Sequence, residues 1–238
     1  MVDVVFVHGA LVRDGAWWWH SVADLLEQKS GVVSRSVMLP SCGEAPGAPT
    51  GAGLVEDAAA LGSVLDGIDS AVVVGHSYGG TVISEGADHP AAHHLLYITS
   101  YLPDIGQAQS DVVGAEPDPV SIAIDPAAGT LRVDGYDKRS FGARFWQDVT
   151  DESVRHGAWT RVTPQSLGAF GTPTTKAAWK GRESTYLVCT DDRSTSTGLQ
   201  RWHAERATHV VDLPTGHHPF LSRPDLVAEQ VEEILAAL

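Results

Sequence analysis

Short apolar runs recur along the chain at Val2 to Val7, Val32 to Leu39, Ala71 to Val74, His94 to Thr99, Thr185 to Thr190 and His209 to Leu213. Helix-length segments separate them, and the runs carry little polar alternation. Strands of that kind are buried on both faces, so the rhythm predicts an α/β fold: a mostly parallel sheet of about six strands with helices packed on either side. Helices are expected at Trp17 to Gln28, Leu54 to Leu65, Tyr78 to Asp88, Ser196 to Ala207 and Pro224 to Ala237. The last carries Leu226, Val227, Val231, Ile234 and Leu235 at helical spacing, and Pro224 suits a first turn.

The rhythm breaks between Thr99 and Thr185. This stretch is too long for one crossover and is rich in proline, glycine and aromatics, with helix-like pieces near Lys138 to Gln147 and Asp151 to Arg161. It reads as a helical cap inserted at about residues 101–183 into a single domain of residues 1–238, whose core is 1–100 and 184–238. Such a cap would cover the carboxyl edge of the sheet, where open α/β sheets bind ligands. Phe141, Phe145, Trp146, Trp159 and Phe170 would then either line an apolar pocket or form the cap's own core.

With 238 residues and 43% hydrophobic content, the chain can bury a full core. Its formal net charge of −14 tells against nucleic acid or an anionic membrane as partner, because long-range repulsion would oppose both. Apolar runs stay well below the roughly 20 residues of a spanning helix. The chain opens directly on its first apolar run with no visible export signal, so a cytoplasmic location is expected. Cys42, in a Pro/Gly-rich loop, and Cys189, in an apolar run, form neither a disulfide framework nor a metal-ligand pattern.

Chemistry enters after the third run. Gly75-His76-Ser77-Tyr78-Gly79 sits between that run and a segment able to form a helix, the setting of a G-x-S-x-G nucleophile elbow. In such a turn the serine is strained, and its neighbours two residues away must be nearly free of side chain; Gly75 and Gly79 meet that demand. The plainer reading is a glycine-rich turn holding an incidental serine. A serine hydroxyl needs a base, and the base needs an acid to orient it. The run ending at Thr190 is followed by Asp191-Asp192, and the run ending at Leu213 by Pro214-Thr215-Gly216-His217-His218-Pro219, so nucleophile, acid and histidine occur in order at strand ends. Gly216 frees the loop to present His217, whereas Pro219 constrains His218. Gly9 lets the loop after the first strand turn inward, so that the Ala10 N–H, with the Tyr78 N–H, can face an oxyanion. His8 is expected to brace that loop.

Other clusters carry less. His89, His93 and His94 beside Asp88 offer an i, i+4 pair but no third ligand at metal-site spacing, so a solvated helix end is expected rather than zinc. Of Trp17, Trp18 and Trp19, at least two should pack on the sheet. No phosphate-binding glycine motif is found, and no cofactor is expected.

Phe6-Val7-His8-Gly9-Ala10, Gly75 to Gly80, Tyr101-Leu102-Pro103-Asp104, Thr185 to Arg193 and Gly216 to Pro224 together resemble the α/β-hydrolase superfamily, in the small-esterase branch that includes plant methyl esterases and hydroxynitrile lyases. The resemblance spans nearly the whole chain. It implies Ser77 as nucleophile, Asp192 as acid by the strand-Thr-x-Asp pattern, and His217 as base by the Gly-His before the final helix. Two departures stand out. The segment Leu11 to Trp19 differs from the plant pattern, and the lysine and threonine that hydroxynitrile lyases use are replaced by His218 and Gly9, which tells against cyanohydrin cleavage.

The expected function is therefore a cofactor-independent serine hydrolase acting on a small or medium, apolar carboxylic ester, a methyl ester or lactone included. Two alternatives remain: lyase, cyclase or C–C bond chemistry using the same residues as base, and a ligand-binding receptor on a hydrolase scaffold.

Overall fold

The computed structural model describes residues 2–44 and 51–238. Part of the Pro/Gly-rich loop after Cys42 lies outside them. Strands β1 (Asp3–Val7), β2 (Ser34–Ser36), β3 (Ala71–His76), β4 (Ala92–Ile98), β8 (Glu183–Cys189) and β9 (His209–Leu213) form one sheet in the order β2-β1-β3-β4-β8-β9, with every neighbouring pair parallel.

The continuous apolar runs have the cause expected of them. Successive side chains of a strand leave on opposite faces, and here both faces are covered. Val4, Phe6, Val72, Val74, Leu96 and Ile98 pack with α1 (Gly15–Ser30) and α10 (Pro224–Ala237). Val5, Val7, Val73, Leu95, Tyr97 and Val188 pack with α2 (Leu54–Leu65) and α3 (Tyr78–Gly86). The edge strands differ: β2 reads Ser-Arg-Ser and is only three residues long, so the run from Val32 to Leu39 yields a much shorter strand than its composition predicts. Helix α1 ends at Gly31, whose φ of 65° suits the left-handed cap position and whose N–H donates to the Glu27 carbonyl.

Between β4 and β8 the chain forms α4 (Gln109–Val113), β5 (Ile122–Asp125), β6 (Thr130–Val133), α5 (Lys138–Phe145), α6 (Glu152–Trp159), β7 (Gln165–Ser166) and α7 (Gly168–Gly171). The insert is thus not helical throughout: β5, β6 and β7 make a second, antiparallel sheet. Ile122 pairs with Val133 and Asp125 with Thr130 across the tight turn Pro126 to Gly129. Asp125 Oδ1 accepts the Ala127 and Ala128 N–H groups, each at 3.0 Å, and Gly129 supplies the positive φ. After β8 come α8 (Thr197–Ala204), β9 and the short α9 (Pro219–Ser222) before α10. Cys42 and Cys189 are buried and unbridged. No helix among the described residues is long and apolar enough to cross a membrane.

Candidate active site

Strand β3 ends at His76 and α3 begins at Tyr78, so Ser77 alone makes the turn, with φ 51° and ψ −122°. An L-residue rarely adopts that conformation, which costs about 1–3 kcal/mol and persists only where its surroundings impose it. The Ser77 N–H donates to the Ile98 carbonyl at 3.2 Å, and the Ser77 carbonyl accepts from Ser100 Oγ at 2.6 Å. Gly75 and Gly79 pack so closely that a Cβ on Gly75 would lie 2.8 Å from the Gly79 carbonyl carbon, and one on Gly79 would collide with the Val7 carbonyl oxygen.

The loops after β8 and β9 bring the predicted acid and base together. Asp192 Oδ2 accepts from His217 Nδ1 at 2.7 Å and from Thr99 Oγ1 at 2.5 Å; Oδ1 accepts the Ser194 and Thr195 N–H groups at 2.6 and 3.1 Å. Burial alone would push the Asp192 carboxyl up, but His217 and these donors outweigh it and hold the group below the ordinary carboxylate value. A carboxylate fixed in this way selects the His217 tautomer with its proton on Nδ1, which leaves Nε2 free to act as a base. The His217 carbonyl is itself held by His76 Nε2 at 2.8 Å.

Asp191 is exposed and contacts the site through its backbone, its N–H donating to the Thr215 carbonyl and its carbonyl accepting from Gln147 Nε2. His218 turns away from Asp192. Its Nδ1 donates to the Phe145 carbonyl at 3.1 Å and its ring packs on Trp18, with centroids 5.3 Å apart. Burial first, and the neighbouring His217 second, push the His218 imidazole well below its ordinary value, so it is a neutral wall residue.

Gly9 brings the loop after β1 against the serine turn. A Cβ there would lie 2.9 Å from His76 Nδ1 and 3.2 Å from Ser77 Cβ, so any other residue would force the two apart. Ala10 follows on the same cavity wall, and Tyr78, as the first residue of α3, has an N–H without an intrahelical acceptor. His8 does brace the loop: Nδ1 donates to the Gly9 carbonyl at 2.9 Å, and Nε2 lies 2.6 Å from Glu44 Oε2. Burial would lower the His8 value, yet the Glu44 carboxylate raises it overall.

A cavity of about 660 Å³ joins these residues to the insert. Ser77, His217, His76, Gly9 and Ala10 line it together with Ile122, Leu131, Val133, Phe141, Phe145 and Phe170 of the insert, and among the described residues no Lys or Arg lines it. Three of the five predicted aromatics therefore face the cavity. Trp146 is instead buried against Trp18 and Phe141, and Trp159 packs on Phe141. Trp18 and Trp19 are buried, Trp19 stacking on Phe6 with centroids 4.6 Å apart.

The other histidine clusters resolve differently from their spacing. Helix α3 ends at Gly86 and His93 and His94 lie on β4, so no helical i, i+4 face exists there. His89 pairs with Asp66, and buried His94 bonds Thr185 Oγ1. His76, His217 and His218 do come together, with one ring nitrogen of each within 4.8 Å of the others. Asp192 and two backbone carbonyls already occupy a second nitrogen on each ring, and the Nδ1 edge of His76 lies against Gly9.

Several site residues escaped the sequence reading. Thr99 holds Asp192 from a positive φ of 38°, Gln200 bridges the Cys189 and Thr195 carbonyls, and Asp148 accepts the Gly216 N–H at 2.7 Å. Asp57, wholly buried, accepts from the Tyr78 hydroxyl at 2.7 Å. A signal for Asp57 existed. It falls on the buried stripe of α2 with Leu54, Leu61 and Leu65, where a carboxylate needs partners.

Comparison with known proteins bears on the family and the fold. A model of the Alpha/beta hydrolase family matches residues 4–230. The chain is 28% identical over 255 residues to the alpha/beta hydrolase nvfD of Aspergillus novofumigatus, covering 96% of this chain and 94% of that one. Among solved structures, a pyrethroid hydrolase from Sphingobium faniae JZ-2 aligns with a TM-score of 0.83 at 24% identity, over 99% of this chain and 98% of that one. The methylesterase MES16 from Arabidopsis aligns with a TM-score of 0.75 at 18% identity, over 100% of both chains. These two likenesses are likenesses of fold.

Proposed function

The chain belongs to the Alpha/beta hydrolase family, and from that premise we propose that it is a cofactor-independent serine hydrolase cleaving a neutral, apolar carboxylic ester through an acyl-serine intermediate. The observation that carries the reading is the 2.7 Å bond between Asp192 and His217 in the cavity that also holds Ser77 in its strained turn.

In this mechanism Ser77 Oγ attacks the ester carbonyl while His217 Nε2 takes its proton. Asp192 keeps the proton on Nδ1 and stabilises the imidazolium that forms. The Ala10 and Tyr78 N–H groups receive the charge that develops on the carbonyl oxygen, each such donor being worth roughly 3–4 kcal/mol in the transition state. His217 then returns the proton to the departing alkoxide. In the second half, water loses a proton to His217 and attacks the acyl carbonyl, releasing the acid and restoring Ser77.

The cavity bears on substrate. At about 660 Å³ it exceeds the needs of a small ester, and its mostly apolar wall, with no Lys or Arg among the described residues, offers no cationic side chain of that kind to pair with a carboxylate or phosphate on the substrate. A bulky, uncharged acyl or alcohol group fits better, in keeping with the pyrethroid hydrolase that the fold resembles. The insert serves as the cap over that pocket.

Treatment with a fluorophosphonate followed by peptide mapping tests the nucleophile, with Ser77→Ala as control. A stoichiometric adduct on Ser77 is expected, together with turnover of esters in a panel that also contains lactones and cyanohydrins. Binding without labelling or turnover would favour a receptor. Turnover of non-esters alone, without an acyl-enzyme, would favour base chemistry.

A further inference from the structure

Resting on this serine-hydrolase reading, we propose that Gln165 and Asp57 are positioning residues: through a buried chain of hydrogen bonds they hold the two oxyanion donors, Ala10 and Tyr78, in register.

The chain begins beside the first donor. The Leu11 N–H, next to Ala10, donates to Gln165 Oε1 at 2.9 Å, and Gln165 Nε2 donates to Ser41 Oγ at 2.9 Å. Ser41 passes its own proton to Asp57 Oδ2 at 2.5 Å, while its N–H donates to Oδ1 at 2.9 Å. The Tyr78 hydroxyl closes the chain on Asp57 Oδ2 at 2.7 Å. Its two ends are thus the residue after one donor and the side chain of the other. Five separate parts of the fold meet in it: the loop after β1, strand β7 of the insert, the turn Pro40–Cys42, helix α2 and helix α3.

Direction and burial make the chain specific. Gln165 and Asp57 are 0% exposed, so each polar atom must find its partner inside the protein. Gln165 has one workable orientation, because Leu11 needs an acceptor and the Ser41 oxygen, its proton spent on Asp57, needs a donor. A glutamate would serve Leu11 but set an oxygen against Ser41 and a charge near Asp57. Leu11 itself has φ 61°, a conformation that its own side chain disfavours. It is held by Gln165 at its N–H and by the Thr163 N–H at its carbonyl, at 2.9 Å, with Val12 bridged to Val162 alongside. The insert therefore straps the oxyanion loop at consecutive points. An oxyanion hole tolerates little displacement, since its donors must sit near 2.7–3.1 Å from the developing charge.

The test compares wild type with Gln165→Leu, Gln165→Glu and Ser41→Ala on a p-nitrophenyl ester. It also measures inhibition by an aryl trifluoromethyl ketone, which forms a hemiketal oxyanion on Ser77, and by the matching alcohol, which does not. Each variant should lose about 10–100-fold in kcat with KM nearly unchanged, a loss typical of misplaced catalytic groups. Ketone affinity should fall by a similar factor while alcohol affinity holds. The double variant Gln165→Leu/Ser41→Ala should be no worse than the poorer single one, because both cut one chain. Unchanged kcat in folded variants, equal weakening of ketone and alcohol, or additive losses would overturn the proposal. Should the Gln165 variants fail to fold, Tyr78→Phe removes only a hydroxyl and should show the same pattern at smaller size; its absence there counts equally against the chain. A wild type that neither hydrolyses esters nor labels at Ser77 would sink the hydrolase reading and this role with it. An active wild type with indifferent variants would sink this role alone.

Discussion

At the carboxyl edge of the parallel sheet, polar side chains are committed to one another: Asp192 answers His217, Thr99 and two backbone N–H groups, and His76 holds the His217 carbonyl. To the same cavity the insert presents the side chains of Ile122, Leu131, Val133, Phe141 and Phe145, which make no directional demand. The edge stands on strands paired in parallel ladders, whereas the insert's lining stands on a hairpin and short helices. Placement precision is needed where charge develops, and apolar bulk suffices where a substrate is merely enclosed. The division has exceptions, since Gln147, Asp148 and Gln165 belong to the insert by position but bond to the edge.

The strongest way to break this division is to remove the chemistry and ask whether binding survives. Ser77→Ala and His217→Ala should each lower kcat by as much as ~10⁶, and the double variant should be hardly worse, since both residues serve one proton transfer. Affinity for an unreactive substrate analogue, read by calorimetry, should stay close to wild type. Additive losses in kcat, or analogue binding lost along with it, would mean that edge and insert do not divide the work.

A smaller effect is expected one residue further back. Asp192→Asn should favour the wrong His217 tautomer and cost ~10⁴ in kcat near neutral pH. Asp191→Asn, on an exposed side chain, should stay within about tenfold. Stability offers a second readout. The Asp192 carboxyl is held below its unfolded value of about 3.9, so the native state binds fewer protons than the unfolded chain in that range, and stability rises with pH there. The stabilisation is full above the unfolded value and is lost as pH falls through the folded one. Urea midpoints of wild type and Asp192→Asn should therefore differ above about pH 5 and converge in stronger acid; a constant gap would mean that Asp192 is not held ionised by its partners.

The two regions were also unequally legible. Val72, Val73 and Val74 announce a strand covered on both sides, and the glycines around Ser77 announce its turn, because each is a local demand met by local residues. The pair Asp191-Asp192 and the loop carrying His217 follow from their places after such strands, and the choice of Asp192 over Asp191 came from the resemblance to the α/β-hydrolase pattern. The hairpin Ile122 to Val133 carried its own signal, alternating apolar residues around Pro126 to Gly129, but one weak enough to be lost among helix-like segments. Gln165 and Asp57 could not be picked out as partners. They are 108 residues apart, and their roles depend on Ser41 reaching both, which local pattern does not encode.

The smallest effect sharpens the comparison from the insert's side. Val133 on β6 pairs with Ile122 on β5, and both line the cavity. Val133→Ala removes two methyl groups from an apolar wall without creating an unpaired polar group. At about 0.8 kcal/mol per buried CH₂, and with the side chain only partly buried, the loss of contact to a bulky substrate should be near 1 kcal/mol. That corresponds to roughly a fivefold fall in kcat/KM for a bulky apolar ester relative to the acetate ester of the same alcohol. The fall should reside in KM, because a wall contact is made equally in ground and transition states. If kcat fell instead, and equally for both esters, the hairpin would be acting on the reacting atoms, and the boundary between edge and insert would have to be drawn beyond Gln165 to include it.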